Sequence, residues 1–293
     1  MSSTRLIPPI LVLLCLGYAA LINPHEQAWR GAPALPVIFS VVFMIQVIGF
    51  LHAWWRQTEH FYDLIGSLSF LLAVGIALYL NPAATGYNFL VAGLIVLWAL
   101  RLGSFLFLRI ADVGEDRRFR KIKRSFSRFL LIWTLQGVWV SLTSSAALVA
   151  ILTPMSGSVP GLAWLGVALW GVGFLVEVVA DAQKSAFRKD PAKRGQFIHH
   201  GLWSVCRHPN YLGEIILWFG IFVSALPALQ GWQFAALLSP VFVVLLLTRI
   251  SGIPALAKRG LSQWGDDPLY RAYLRQTRAL VPGVPRPLIV DDV

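Results

Sequence analysis

Apolar residues in this chain come in long blocks, and that restricts the fold more than any single motif. A helix needs about 20 apolar residues to cross a hydrocarbon core. Eight stretches reach or approach that length, at about 6–22, 36–54, 64–80, 88–108, 129–151, 162–180, 210–226 and 233–249. Lipid offers no partner to an open backbone, so continuous apolar runs of this kind assemble as helices. The expected fold is all-α. It is a polytopic membrane helix bundle of seven to eight transmembrane helices, one integral membrane domain over residues 1–293, with cytoplasmic loops capping a cavity. The first run follows Arg5, but no small-residue cleavage site follows it, so it reads as a span rather than a signal peptide. Pro227 and Pro240 interrupt the last two runs, leaving one hairpin or two spans open.

Composition excludes the other classes. Of 293 residues 57% are hydrophobic and only 13% charged, against about 25% charged in soluble domains. An ordinary soluble enzyme, a disordered chain and a coiled coil are all ruled out. The net charge of +11 sits in the loops between the runs. Residues 109–128, 181–208 and 249–278 are basic, whereas 81–87, 153–160 and 227–232 carry no charge. Basic loops stay on the cytoplasmic side, which explains the charge without nucleic acid and suits a bacterial inner membrane. With eight spans both termini are cytoplasmic. Trp54, Trp55, Trp133 and Trp232 fall near the expected interfaces, as belt aromatics do. Cys15 and Cys206 form neither a disulfide framework nor a zinc pattern, and no metal site is expected. Gly166, Gly171 and Gly173 suggest close packing of the sixth span. They do not make a dinucleotide loop, which needs a strand before it and a βαβ unit around it.

Ionisable groups at membrane depth are costly and point to function. The chain has five glutamates, and two of them, Glu177 and Glu214, lie in spans. Glu177, Asp181, Lys184 and Arg188 share one helical stripe that runs out into the basic loop. The stripe either pairs within itself or walls a cavity with its cations facing a phosphate. In residues 201–214, GLWSVCRHPNYLGE, Pro209 suits the first turn of a helix. Arg207 and His208 then stand at a helix N-terminus, a ready anion site, and Asn210 and Glu214 lie one turn apart on the same face. Tyr62-Asp63 opens the third span, as a proton donor with an acid beside it or as an interfacial cap. Arg101 and Arg109 close the fourth span, and Arg101 either snorkels or faces the cavity. Arg249 ends the eighth, before an amphipathic tail with Tyr270, Tyr273 and Arg278 that would lid the cavity or pack as fold.

Taken together these segments resemble the steroid 5α-reductase superfamily, closest to its bacterial membrane branch long classed as a domain of unknown function. Residues 201–214 match its signature. Gly114-Glu115-Asp116-Arg117-Arg118, Trp133 with Gln136, the run from Glu177 to Phe187, Ser251-Gly252-Ile253-Pro254 and Tyr273 through Pro282 agree in order and spacing. The resemblance covers a reductase-like core of about residues 55–283. It implies NADPH held from the cytoplasmic side by Asp181, Arg188, Asn210, Glu214 and Arg249. Lys184, Arg207 and His208 join them as cations near phosphates, and Tyr211 and Arg109 complete the cofactor-binding set. The local excess of cations favours NADPH over NADH. The implied reaction reduces a carbon–carbon double bond conjugated to a carbonyl in a steroid-like or other lipidic substrate arriving from the bilayer. Where steroid-reducing relatives carry a Glu and a Tyr, this chain has Asp63 and Trp98; Trp98 cannot give up a proton, so Tyr62 and Asp63 are the catalytic candidates. Ile253 and Ala257 stand where those relatives have a His and a Tyr.

Membrane methyltransferases of the isoprenylcysteine carboxyl and phospholipid types are the rival class. They share an Arg-His-Pro-x-Tyr segment and follow it with paired glutamates that help hold S-adenosylmethionine. Residues 249–282 contain no Glu. A non-enzymatic membrane subunit or a transporter is the third reading, and the chain shows none of the paired half-helix repeats of transporters.

Overall fold

The computed structural model describes residues 3–24, 27–113, 119–285 and 287–289. Its long helices are α1 (Ser3–Ile22), α2 (Ala34–Arg56), α3 (Tyr62–Leu80), α4 (Gly86–Val113), α6 (Phe126–Leu152), α7 (Gly161–Lys189) and α9 (Pro209–Ala225). Shorter ones are α5 (Phe119–Ile122), α8 (Leu202–Val205), α10 (Leu238–Leu245), α11 (Ile253–Trp264) and α12 (Pro268–Gln276). Among the described residues the only strands are β1 (Ala28–Trp29) and β2 (Ala32–Pro33), an antiparallel ribbon. Among the described residues seven helical segments are long and apolar enough to cross a membrane, and Leu6–Ile22 is a shorter apolar helix. The chain is an integral membrane protein with an all-α polytopic bundle. Past α9 the chain turns through a short 3₁₀ segment at Leu226–Ala228, and Gly231–Trp264 forms a separate candidate span. The break at Pro227 therefore separates two spans.

The chain groups into two compact units. The first comprises residues 1–167 and 221–239. Its axis is α6, packed by α1, α2, α3 and α4. The α6 span is 83% buried, the highest share of the seven, and its sequence explains why. Ser141, Thr143, Ser144, Ser145, Ala146, Ala147 and Ala150 are all buried, and small side chains let neighbouring backbones approach. Three crossings are thinner still. A Cβ on Gly49 would lie 2.5 Å from the Trp133 ring, one on Gly66 2.6 Å from Gln136 Nε2, and one on Gly137 2.7 Å from the Phe43 ring. Helix ends are closed by side chains, as lipid requires. Asn81 Nδ2 donates to Ile151 O (2.8 Å) and Asn88 Nδ2 to Ala150 O (2.9 Å), tying the α3–α4 turn to the end of α6. Tyr87 Oη donates to Ser224 O at 2.9 Å.

The second unit comprises residues 168–220 and 240–293. It holds the polar half of α7, most of α9 and the amphipathic helices α11 and α12. α7 continues to Lys189, about two turns beyond the apolar run read from the sequence, so the stripe from Glu177 to Arg188 is one unbroken helix.

Overpacking a close crossing costs about 1–3 kcal/mol. Gly49→Leu is expected to lose that much stability in a thermal melt. Gly75→Ala, at a position with nothing within 4 Å of the added carbon, is expected to be neutral or slightly stabilising.

Candidate functional site

The polar groups of the second unit are brought together by one helix crossing. Gly173 on α7 and Gly213 on α9 face each other with their backbones touching. A Cβ on Gly173 would lie 2.5 Å from Leu217 N and 2.6 Å from Gly213 O. A Cβ on Gly213 would lie 2.6 Å from Glu177 N and from Gly173 O. The helices run antiparallel there, so the stripe above Gly173 meets the first turns of α9. Asn210 Nδ2 donates to Asp181 Oδ1 at 3.3 Å. Glu177 and Asp181 are 3% and 8% exposed, and Glu214 is half-buried. Of the glycines that suggested close packing, Gly173 carries it, while Gly171 faces open space.

The cationic side of the site hangs on Trp203. Its indole Nε1 donates to Ala180 O on α7 (3.1 Å) and its carbonyl accepts from Tyr273 Oη (2.6 Å). Lys184 Nζ lies 4.5 Å from the centre of the Trp203 ring, a cation–π contact. Gly201 has a positive φ of +61°, and Gln183 Oε1 accepts from Leu202 N at 3.0 Å, so the turn before α8 is clamped to α7.

Pro209 opens α9, as its missing N–H allows. The two residues before it are held by the tail: Arg207 N donates to Arg278 O (2.9 Å) and His208 N to Ala279 O (3.1 Å). Gly283 N donates back to Val205 O at 3.0 Å. The His208 ring stacks on Tyr211 with centroids 5.7 Å apart. Burial, then the neighbouring Lys184 and Arg207 charges, push the imidazole down to about 4, so it is neutral near pH 7. Arg207 Nε is buried with no hydrogen-bond partner among the described residues. Two cations, a neutral imidazole and a helix N-terminus thus adjoin the Asp181–Asn210 pair. An anion brought here meets the buried Arg207 Nε–H, which has no hydrogen-bond partner among the described residues.

The structure gathers Asp181, Lys184, Arg207, His208, Asn210 and Tyr211 by direct contacts or charge interactions, with Glu177 and Glu214 on the same two helix faces. Arg188 lies farther along the α7 stripe, where it is exposed. Arg249 is exposed in a π-helical turn, Leu246–Ile250, and makes no ion pair among the described residues. Tyr270 and Tyr273 are buried against Phe197 in a small core, so this part of the tail is packed fold. The side chain of Arg109 and residues 114–118 lie outside the described residues.

Tyr62 and Asp63 belong to the first unit. Tyr62 Oη donates to Ile132 O at 3.1 Å, its ring packs on Phe119 and Trp133, and its carbonyl accepts from Gln136 Nε2 at 3.0 Å. The phenolic proton is already engaged by main chain. Asp63, in the first turn of α3, is half-buried. Trp98 is 1% exposed and packs edge-on against Phe70. Sequence reasoning passed over Trp203 and Gln183 as site-builders, although both stood inside the quoted motifs. Glu59, just before Tyr62-Asp63, is buried and paired with Lys123 at 3.0 Å, a pairing that nothing local in the sequence signals.

A family model described as "Protein of unknown function (DUF1295)" matches residues 49–277. No curated protein and no solved structure matches the chain.

Two outcomes follow from this geometry. Gly213→Ala puts a methyl group against backbone that cannot yield, so it is expected to lower the melting temperature and to separate Asn210 from Asp181. The second concerns pH. His208 binds a proton more weakly folded than unfolded, so the unfolded state takes up more protons between its ordinary 6.5 and about 4. Stability is therefore expected to fall as pH drops through that window. A pH series of melts should show His208→Gln with a flatter decline.

Proposed function

The chain belongs to the DUF1295 family, and on that premise we propose that it is a membrane-embedded, NADPH-dependent reductase of a carbon–carbon double bond conjugated to a carbonyl in a lipidic substrate. One observation carries the reading: Lys184 and Arg207, with an unused Arg207 N–H, stand at the start of α9 beside the Asp181–Asn210 pair. Cations at a helix N-terminus suit phosphate, and a carboxylate–amide pair suits hydroxyl and carboxamide groups. A dinucleotide with an additional phosphate carries all of these. The donor set is less suited to a sulfonium cofactor, whose positive charge Lys184 and Arg207 would repel.

In this reading Lys184 and Arg207 bind phosphate oxygens, with Arg188 farther along the same stripe. His208 accepts or donates a hydrogen bond without adding a fixed charge. Asp181, Asn210 and Glu214 orient the sugar and nicotinamide end. Arg109, Tyr211 and Arg249 complete the expected contacts. The chemistry a bound nicotinamide supplies is hydride transfer to the β-carbon of the conjugated system. Asp63 is the group assigned to polarise the carbonyl oxygen. Tyr62, with its hydroxyl on Ile132 O, ties the start of α3 to α6. The steroid 5α-reductase resemblance and the cytoplasmic placement expected of the basic loops support the same assignment.

Turnover of an apolar enone by the purified protein, measured alongside NADPH affinity, tests the roles separately. Asp63→Asn is expected to lower turnover about 10²–10⁴-fold with affinity unchanged, and Tyr62→Phe to leave turnover near that of the wild type. Arg207→Ala is expected to weaken NADPH about 10- to 100-fold. Full turnover in Asp63→Asn contradicts the acid assignment, and unchanged affinity in Arg207→Ala contradicts the phosphate assignment.

A further inference from the structure

The first unit contains a small cavity among α1, α2 and α6, of about 30 Å³, lined by Val12, Phe43, Gln46, Val47, Leu130, Trp133 and Thr134. Two of its polar side chains are each only 1% exposed, Gln46 and Trp133. Gln46 spends its amide N–H on Ser69 Oγ at 2.8 Å, and its Oε1 has no partner among the described residues. Trp133 Nε1 has none either. Thr134 Oγ1 gives its proton to Leu130 O at 2.9 Å and keeps lone pairs to offer. Neither orphan can turn away to find a partner. Gly137 crosses Gln46, whose Cγ lies 3.3 Å from where a Cβ would stand, and Gly49 presses on the Trp133 ring.

Two residues of an otherwise largely apolar lining, Trp133 and Gln46, thus each carry a buried unpartnered group, one N–H donor and one carbonyl acceptor. Buried polar groups in proteins find partners as a rule. The complement to this pair is a group that accepts one hydrogen bond and donates another, which is a hydroxyl. An ion is disfavoured, because no charged side chain lines the space. Water needs roughly 10–15 Å³ of such space and two to four polar partners, and both conditions hold; nothing much larger fits. We propose that this cavity is a binding site for a single water molecule, which accepts from Trp133 Nε1–H and donates to Gln46 Oε1. The bridge joins α6 to α2, between which no direct side-chain hydrogen bond is made among the described residues. It also fixes Trp133, whose ring packs edge-on against Tyr62 at 5.1 Å, the residue preceding Asp63. The inference stands on packing and hydrogen-bond complementarity, and holds whatever reaction the protein catalyses.

Ultraviolet resonance Raman spectra of the full-length protein in detergent test it, because one indole ring mode reports N–H hydrogen bonding. The wild-type minus Trp133→Phe difference isolates one of the twelve tryptophans, and is expected to show a hydrogen-bonded indole that shifts on transfer to D₂O. Gln46→Met keeps all twelve and nearly conserves volume, so it reports even if Trp133→Phe does not fold. Its difference spectrum is expected to show one indole losing its acceptor. An unbonded Trp133 indole in the wild type, or a Gln46→Met spectrum identical to wild type, overturns the proposal.

Discussion

Two glycines in backbone contact hold the candidate site together. With Gly173 against Leu217 N and Gly213 against Glu177 N, α7 and α9 approach as closely as helices can. In lipid this closeness replaces the hydrophobic drive that packs helices in water, through dispersion and small-residue contact. Its consequence is chemical. Ionisable groups on two helices, each costly alone in an apolar medium, face one another over less than a side chain's width. Asp181 meets Asn210 directly, and the turn carrying Arg207 and His208 is brought to the Lys184 level of α7. The clamp around Trp203 then secures the loop from outside the crossing, by one bond to α7 and one from α12.

The electrostatics of this arrangement are asymmetric. Glu177 and Asp181 are acidic and buried, while Lys184 and Arg207 stand beside an imidazole that burial keeps neutral. A ligand with negative charge at one end and neutral hydrogen-bonding groups at the other matches that order. The first unit is organised differently. Its largely apolar interior carries buried amide and hydroxyl groups around α6, some of which join helices, as Gln136 does to Tyr62 O.

Much of the fold was legible in the chain. Apolar runs marked the starts of the seven candidate spans to within about three residues, because in lipid the helical backbone must satisfy itself, whereas the ends of Gly161–Lys189 and Gly231–Trp264 run past the apolar stretch. Pro209 marked the start of α9, and the spacing of Glu177, Asp181 and Lys184 marked one face. The facing of α7 by α9 was not legible. Gly173 was visible as a thin position, but nothing local says that its partner is Gly213 and not another glycine. Trp203 read as part of a motif, and only the fold shows its three separate contacts. Tyr62 read as a proton donor or part of an interfacial cap, and its hydrogen bond to Ile132 O depends on a helix 70 residues away in sequence.

The most direct measurement is a ligand titration of the purified full-length protein, with thermal stability as readout, using NADPH, NADH and S-adenosylmethionine separately. A ligand that binds only the folded state raises stability in proportion to the logarithm of its concentration above Kd. The account predicts a saturable rise with NADPH, a smaller one with NADH and none with S-adenosylmethionine. A rise with S-adenosylmethionine and none with NADPH would contradict it, and would assign the Arg207–His208 turn to a methyl-donor site instead.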